Sequence, residues 1–103
     1  MNKMVKAKQL ALSLAKEFPV DGEIANGLAR IYVMQGKDAL AKQQMAKALK
    51  LVPDDLAVWS THLNYFASKK DIVSFRLWLT KIRAKDPSYL DENQIAVILD
   101  TMQ

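Results

Sequence analysis

Pro19, Pro53 and Pro87 are the three prolines of this 103-residue chain, and they stand 34 residues apart, twice. A helix does not run freely through proline. The ring removes a donor, and the residue before it is pushed out of the α region. The chain is therefore cut into equal units, each with room for two short helices and their turns. Other residues keep the same register: Tyr32 with Phe66, Ala7 with Ala41, and Asp21 with Asp55. Lys8, Lys42 and Arg76 align, as do Leu14, Ala48 and Ile82. Only three glycines are present, and Ala, Leu, Lys and Gln, all helix formers, dominate the chain. The pattern predicts an all-α fold with a repeating helix pair.

Six helical segments follow from the three-and-four spacing of apolar residues. The first runs from about Lys3 to Phe18, with Met4, Ala7, Leu10, Ala11, Leu14 and Phe18 as one stripe. Asp21 or Gly22 opens the second, which carries Ile24, Leu28, Ile31 and Tyr32 and stops near Gly36. The third starts at Lys37 or Asp38 and turns Ala41, Met45, Ala48 and Leu49 inward as far as Leu51. Val52-Pro53-Asp54-Asp55 is turn and N-cap chemistry. The fourth segment holds Val58, Trp59, Leu63 and Phe66, and Asp71 caps the fifth, with Ile72, Phe75, Trp78, Leu79 and Ile82. The sixth runs from about Leu90 to Thr101 and is apolar nearly all round between Ile95 and Leu99.

Gly22 to Asp55 resembles a unit of the tetratricopeptide repeat (TPR) family. It has Leu28-Ala29, Tyr32, Gly36, Ala41, Met45, Ala48 and Pro53 in the family's order, and Ala25 where the family opens with Trp. Trp59 restores that residue in the next unit. There His62-Leu63, Lys70 and Phe75 replace the family's Leu-small pair, Gly and Ala. The resemblance implies a TPR-like α-solenoid of about six antiparallel helices. Residues 1–21 would be the second-type helix of a partial repeat, 22–55 and 56–89 full repeats, and 90–103 a first-type helix of a partial repeat. It also implies a binding scaffold, with first-type helices lining a concave groove for a peptide or helix of a partner. Bacterial modules of this kind recur in secretion, pilus, polysaccharide-export and periplasmic assemblies.

Charge divides along the same lines. The first-type segments (20–36, 52–68, 87–103) carry Asp21, Glu23, Asp54, Asp55, Asp91, Glu92 and Asp100 against Arg30 alone. The second-type segments hold fourteen Lys or Arg against four acids. In a TPR arrangement the groove side is neutral to acidic and the convex side basic. The carboxylate clamp that grips acidic C-terminal peptides needs several groove cations and is not expected. Asn26, Arg30, Met34, Ser60 and Asn64 are the candidate groove residues, since amides donate to and accept from an extended backbone at once. The plainer account is that these are exposed polar residues, that the acids are caps near positive helix ends, and that the lysines are solvated.

The chain has no cysteine and one histidine, His62, without a partner set for metal or nucleophile chemistry. There is no phosphate loop or paired catalytic carboxylate, so neither an enzyme nor a cofactor is expected. Trp59, Phe66, Phe75 and Trp78 fall on apolar stripes, which favours core packing over base stacking. The expected function is a non-enzymatic protein-protein interaction scaffold. The alternative is binding of RNA or another anionic polymer or surface through the basic convex face. The last helix expects cover beyond its own chain, with Ile95, Ile98 and Met102 as the self-association residues of a homodimer. No run approaches the length of a membrane span. Lack of cysteine decides neither cytoplasm nor periplasm.

Overall fold

The computed structural model describes residues 3–17 and 20–102, with side chains from residue 5 onward. Phe18, Pro19 and the Met4 side chain, all placed by the sequence pattern, lie outside the described residues. Among the described residues the chain is all α: α1 (Lys3–Glu17), α2 (Gly22–Met34), α3 (Asp38–Leu51), α4 (Leu56–Ser68), α5 (Ile72–Lys85) and α6 (Glu92–Thr101).

Four helices, α2, α4, α5 and α6, start where an aspartate side chain takes up free N–H groups, whereas Lys37 before α3 makes no such bond. The Asp21 carboxylate accepts from the N–H of Glu23 at 2.9 Å and of Ile24 at 3.1 Å. Asp55 accepts from Ala57 N–H at 2.8 Å, and Asp71 from Ser74 N–H at 3.1 Å. Asp91 and Gln94 form a reciprocal capping box, each accepting from the other's N–H at 2.8 Å. Asp55 and Asp91 thus act as the caps read from the sequence.

The helix ends recur at the 34-residue spacing. After α2, Gly36 N–H donates to Val33 C=O and Lys37 N–H to Tyr32 C=O. After α4, Lys70 N–H donates to Ala67 C=O and Asp71 N–H to Phe66 C=O. This is the paired Schellman pattern, which needs a left-handed residue between the helices. Gly36 supplies it at φ 71°, and Lys70 adopts it at φ 58° despite its Cβ.

The chain divides into two compact units, Met1–Thr61 and His62–Gln103, and the division falls within α4. In the first, α2 packs antiparallel to both α1 and α3. Ala25, Leu28, Ala29 and Tyr32 of α2 and Ala41, Met45 and Ala48 of α3 are buried. The alanines let the backbones approach, and Gly22 marks the tightest point. A Cβ placed there would sit 2.8 Å from Val52 Cγ2. Trp59 Nε1–H donates to Pro53 C=O at 2.8 Å, tying the start of α4 to the proline turn.

The α1 stripe is less buried than its spacing predicts. Ala11 and Leu14 are half-buried, while Ala7 and Leu10 are exposed, Leu10 to 63%. The α1–α2 contact covers a narrower arc than the apolar residues span. Lys8 Nζ lies 5.7 Å from the Tyr32 ring centroid, within cation–π range. Hydrogen bonding to Lys37 and repulsion from its charge hold the Lys8 ammonium below its ordinary value of 10.5.

In the second unit, Leu63, Tyr65, Phe75, Leu79 and Ile82 are buried. The bulky departures Leu63 and Phe75 are each only 1% exposed, so both are core residues. His62 is buried as well, and its ring stacks on Trp78 with centroids 4.4 Å apart. Arg83 reaches Glu92 at 3.2 Å, an exposed pair of small energetic weight.

Candidate binding surfaces

The five candidate groove residues fall into two environments. Arg30 and Met34 lie one turn apart on α2 and are exposed, Met34 to 65%. Asn64 and Ser68 hold the same register on α4 and are exposed too. Ser60 is half-buried. Asn26 sits in the interior at 7% exposure, and its buried Oδ1 has no hydrogen-bond partner. The open edge of α2 is thus a guanidinium beside a flexible thioether, and that of α4 an amide beside a hydroxyl. Ser68 Oγ–H is spent on Tyr65 C=O at 2.6 Å. Asn64 keeps an amide able to donate and accept. Met34 offers an apolar contact that adapts its shape.

The three self-association residues are also divided. Ile95 and Met102 are buried, and Ile98 is half-buried. Two of the side chains expected to need outside cover already have it within the chain. The exposed positions of α6 are Glu92, Asn93, Gln94, Ala96, Val97, Asp100 and Thr101, so within Ile95–Leu99 the open residues are the apolar Ala96 and Val97. Its open apolar ground includes the third, Ile98, which lines a shallow pocket of about 380 Å³ with Leu90, Asn93, Gln94 and Val97.

α5 presents the most cationic exposed surface. It contains four Lys or Arg and no acid, and Val73 and Leu77 are exposed along with Arg76 and Lys81. Lys81 Nζ lies 5.0 Å from the Trp78 ring centroid. Trp78 thus has both the His62 ring and the Lys81 ammonium against it, and it is half-buried.

Tyr65 was missed as a core residue by pattern reading. It lies seven residues after Val58, on a face interrupted by Thr61 and His62. Thr61 is satisfied locally, its Oγ1–H donating to Ala57 C=O at 3.1 Å, and the His62 ring packs against Trp78. The Val58–Tyr65 spacing was the available signal.

Among the described residues no three His, Asp or Glu groups are placed to hold a metal ion, and no helix is long and apolar enough to cross a membrane. No family profile, curated protein or solved structure compared with the chain matches it.

Proposed function

We propose that the chain is a TPR-like interaction scaffold that holds a peptide or helix of a protein partner along the exposed edges of α2 and α4. The observation that carries this reading is the 34-residue recurrence of helix bounds, Gly22–Met34 to Leu56–Ser68 and Asp38–Leu51 to Ile72–Lys85, joined by identical turn hydrogen bonds. Arg30 and Met34 on one helix, and Asn64 on the next, are the residues proposed to touch the partner. Of the other two residues expected in the groove, Asn26 is buried and Ser60 half-buried.

The recurrence supports a solenoid because each pair leaves an apolar face that a neighbouring pair buries. The exposed edge supports binding because it combines a fork of donors, an amide and an adaptable apolar side chain. α5, all cationic and carrying Val73 and Leu77, supports the second reading, docking of an anionic polymer or surface.

The test is capture of partners from lysate by the immobilised chain. Arg30→Glu with Met34→Ser, or Asn64→Ala, should remove the same captured protein, while Arg76→Glu with Lys81→Glu should leave it. The reverse outcome, with capture falling steeply as salt rises, transfers the function to the cationic face.

A further inference from the structure

We infer that the exposed side of α5 is a docking seam for an acidic amphipathic helix of a protein partner, a contact separate from the edges of α2 and α4.

α5 has two faces. Phe75, Leu79 and Ile82 are buried on one. On the other, Val73, Leu77, Thr80 and Ala84 are all exposed, Val73 to 80% and Leu77 to 68%. These four follow one another at spacings of four, three and four residues. That is the a/d repeat of a coiled coil, the narrow stripe that one helix offers to another running alongside it. The 14 residues of α5 are enough for two heptads.

The same side is open on α3, which lies between α2 and α4 in the chain and starts 34 residues before α5. Its equivalents, Ala39, Gln43, Ala46 and Lys50, are exposed as well. What differs is the chemistry. Where α3 has Ala39 and Gln43, α5 has Val73 and Leu77. Two branched aliphatic side chains stand bare at positions that α3 fills with a methyl group and an amide.

The residues beside the seam select the partner. Its e and g positions, which meet the flanks of a partner helix, are Ser74, Arg76, Lys81 and Arg83. Arg83 reaches Glu92 at 3.2 Å, and Arg76 and Lys81 are exposed along the border of the seam. α5 itself carries no acid. A second copy of α5 would set cation against cation in either orientation, so the complement is a different helix, apolar at a and d with Asp or Glu at e and g. A polyanion has no use for the bare Val73 and Leu77, and no exposed aromatic stands on this side of α5 to stack on a base. A bilayer surface calls for a broad apolar face, and here Thr80 and the cations confine the apolar ground to one stripe.

The probe is a synthetic peptide of about three heptads, with leucine at a and d and glutamate at e and g, whose glutamates keep it from pairing with itself. Fluorescence anisotropy of the labelled peptide, titrated with the full chain, should show saturable binding. Val73→Ser combined with Leu77→Ser should weaken it about tenfold or more, with the melting temperature unchanged because both side chains are exposed. Arg76→Glu combined with Lys81→Glu should lose the glutamate peptide and gain its counterpart with lysine at e and g. Only a folded chain can make that exchange, which separates a lost contact from a lost fold.

Equal binding of the two peptides by the unchanged chain, or wild-type binding after Val73→Ser with Leu77→Ser, would overturn the inference. So would absence of saturable binding of the glutamate peptide, whether or not vesicles of phosphatidylserine or polyuridylate bind in its place. Capture of the Arg30- and Met34-dependent partner should survive every one of these α5 substitutions, so this inference and the scaffold reading can fail independently.

Discussion

Replacing Lys70 by glycine should make this protein more stable, although it deletes a side chain and adds no contact. Lys70 sits at φ 58° between α4 and α5, in the conformation that Gly36 adopts at φ 71° between α2 and α3. A Cβ in that region crowds the neighbouring carbonyl and costs about 1–2 kcal/mol. Glycine removes the crowding but frees the unfolded chain, which returns about 0.5–1 kcal/mol. The side chain is exposed, so little packing is lost. The two backbone bonds of the turn, Lys70 N–H to Ala67 C=O at 3.1 Å and Asp71 N–H to Phe66 C=O at 3.0 Å, need no side chain and remain. The net gain is about 0.5–1 kcal/mol, or roughly 3–6 °C in melting temperature for a domain of this size. Thermal unfolding followed by circular dichroism measures it. Lys70→Ala is the control, because it removes the charge and keeps the crowding; it should change the melting temperature by less than about 1 °C. If Lys70→Ala gained as much as Lys70→Gly, repulsion from Lys69 and not backbone conformation would be the cause. A loss on Lys70→Gly would refute the account of the turn altogether.

Three further outcomes follow from particular contacts. Gly22→Ala should destabilise by about 1–2 kcal/mol in urea unfolding, because stiff, β-branched Val52 lies 2.8 Å from the new Cβ. Adding Val52→Ala should recover part of that loss, and strict additivity of the two substitutions would show that they do not touch. Phe75→Ala restores the small residue of the repeat pattern yet should cost about 3–5 kcal/mol, since the ring is 1% exposed; a loss under about 1 kcal/mol would mean that the site collapses around the gap. The backbone N–H of Ser74, and then its hydroxyl, hold the Asp71 carboxyl below its ordinary value of 3.8. A depressed carboxyl contributes stability that is complete above its unfolded value and is lost as pH falls through the folded one. Asp71→Asn should therefore shrink the loss of melting temperature between pH 5 and pH 2, and an unchanged acid limb would remove Asp71 from the account.

The candidate surfaces show why a site is harder to read than a helix. Asn26 and Arg30 lie one turn apart and looked alike as polar residues on a helix face. Four residues turn a helix by about 40°, so the two straddle the boundary between interior and solvent. Sequence spacing assigns a residue to a face only to within such an angle. The packed neighbour decides the rest, and it puts Asn26 inside with an orphaned oxygen and leaves Arg30 outside. Ile95 and Met102 lie seven residues apart on one face, and both are buried within the chain.

Element boundaries were legible because they are local. Asp21, Asp55, Asp71 and Asp91 bind N–H groups within three residues, and Gly36 acts on its immediate neighbours. The left-handed Lys70 could be reached only through its alignment with Gly36, since nothing in lysine itself favours that conformation. Burial was a different matter. The exposed Leu10 and the buried His62 both run against hydropathy, and each is decided by what lies opposite: a narrow contact for Leu10 and the Trp78 ring for His62. Hydrogen bonds that span three or four residues are written in the order of the chain. Which arc of a finished helix meets another helix depends on residues far away in sequence, and only the tertiary structure brings those together.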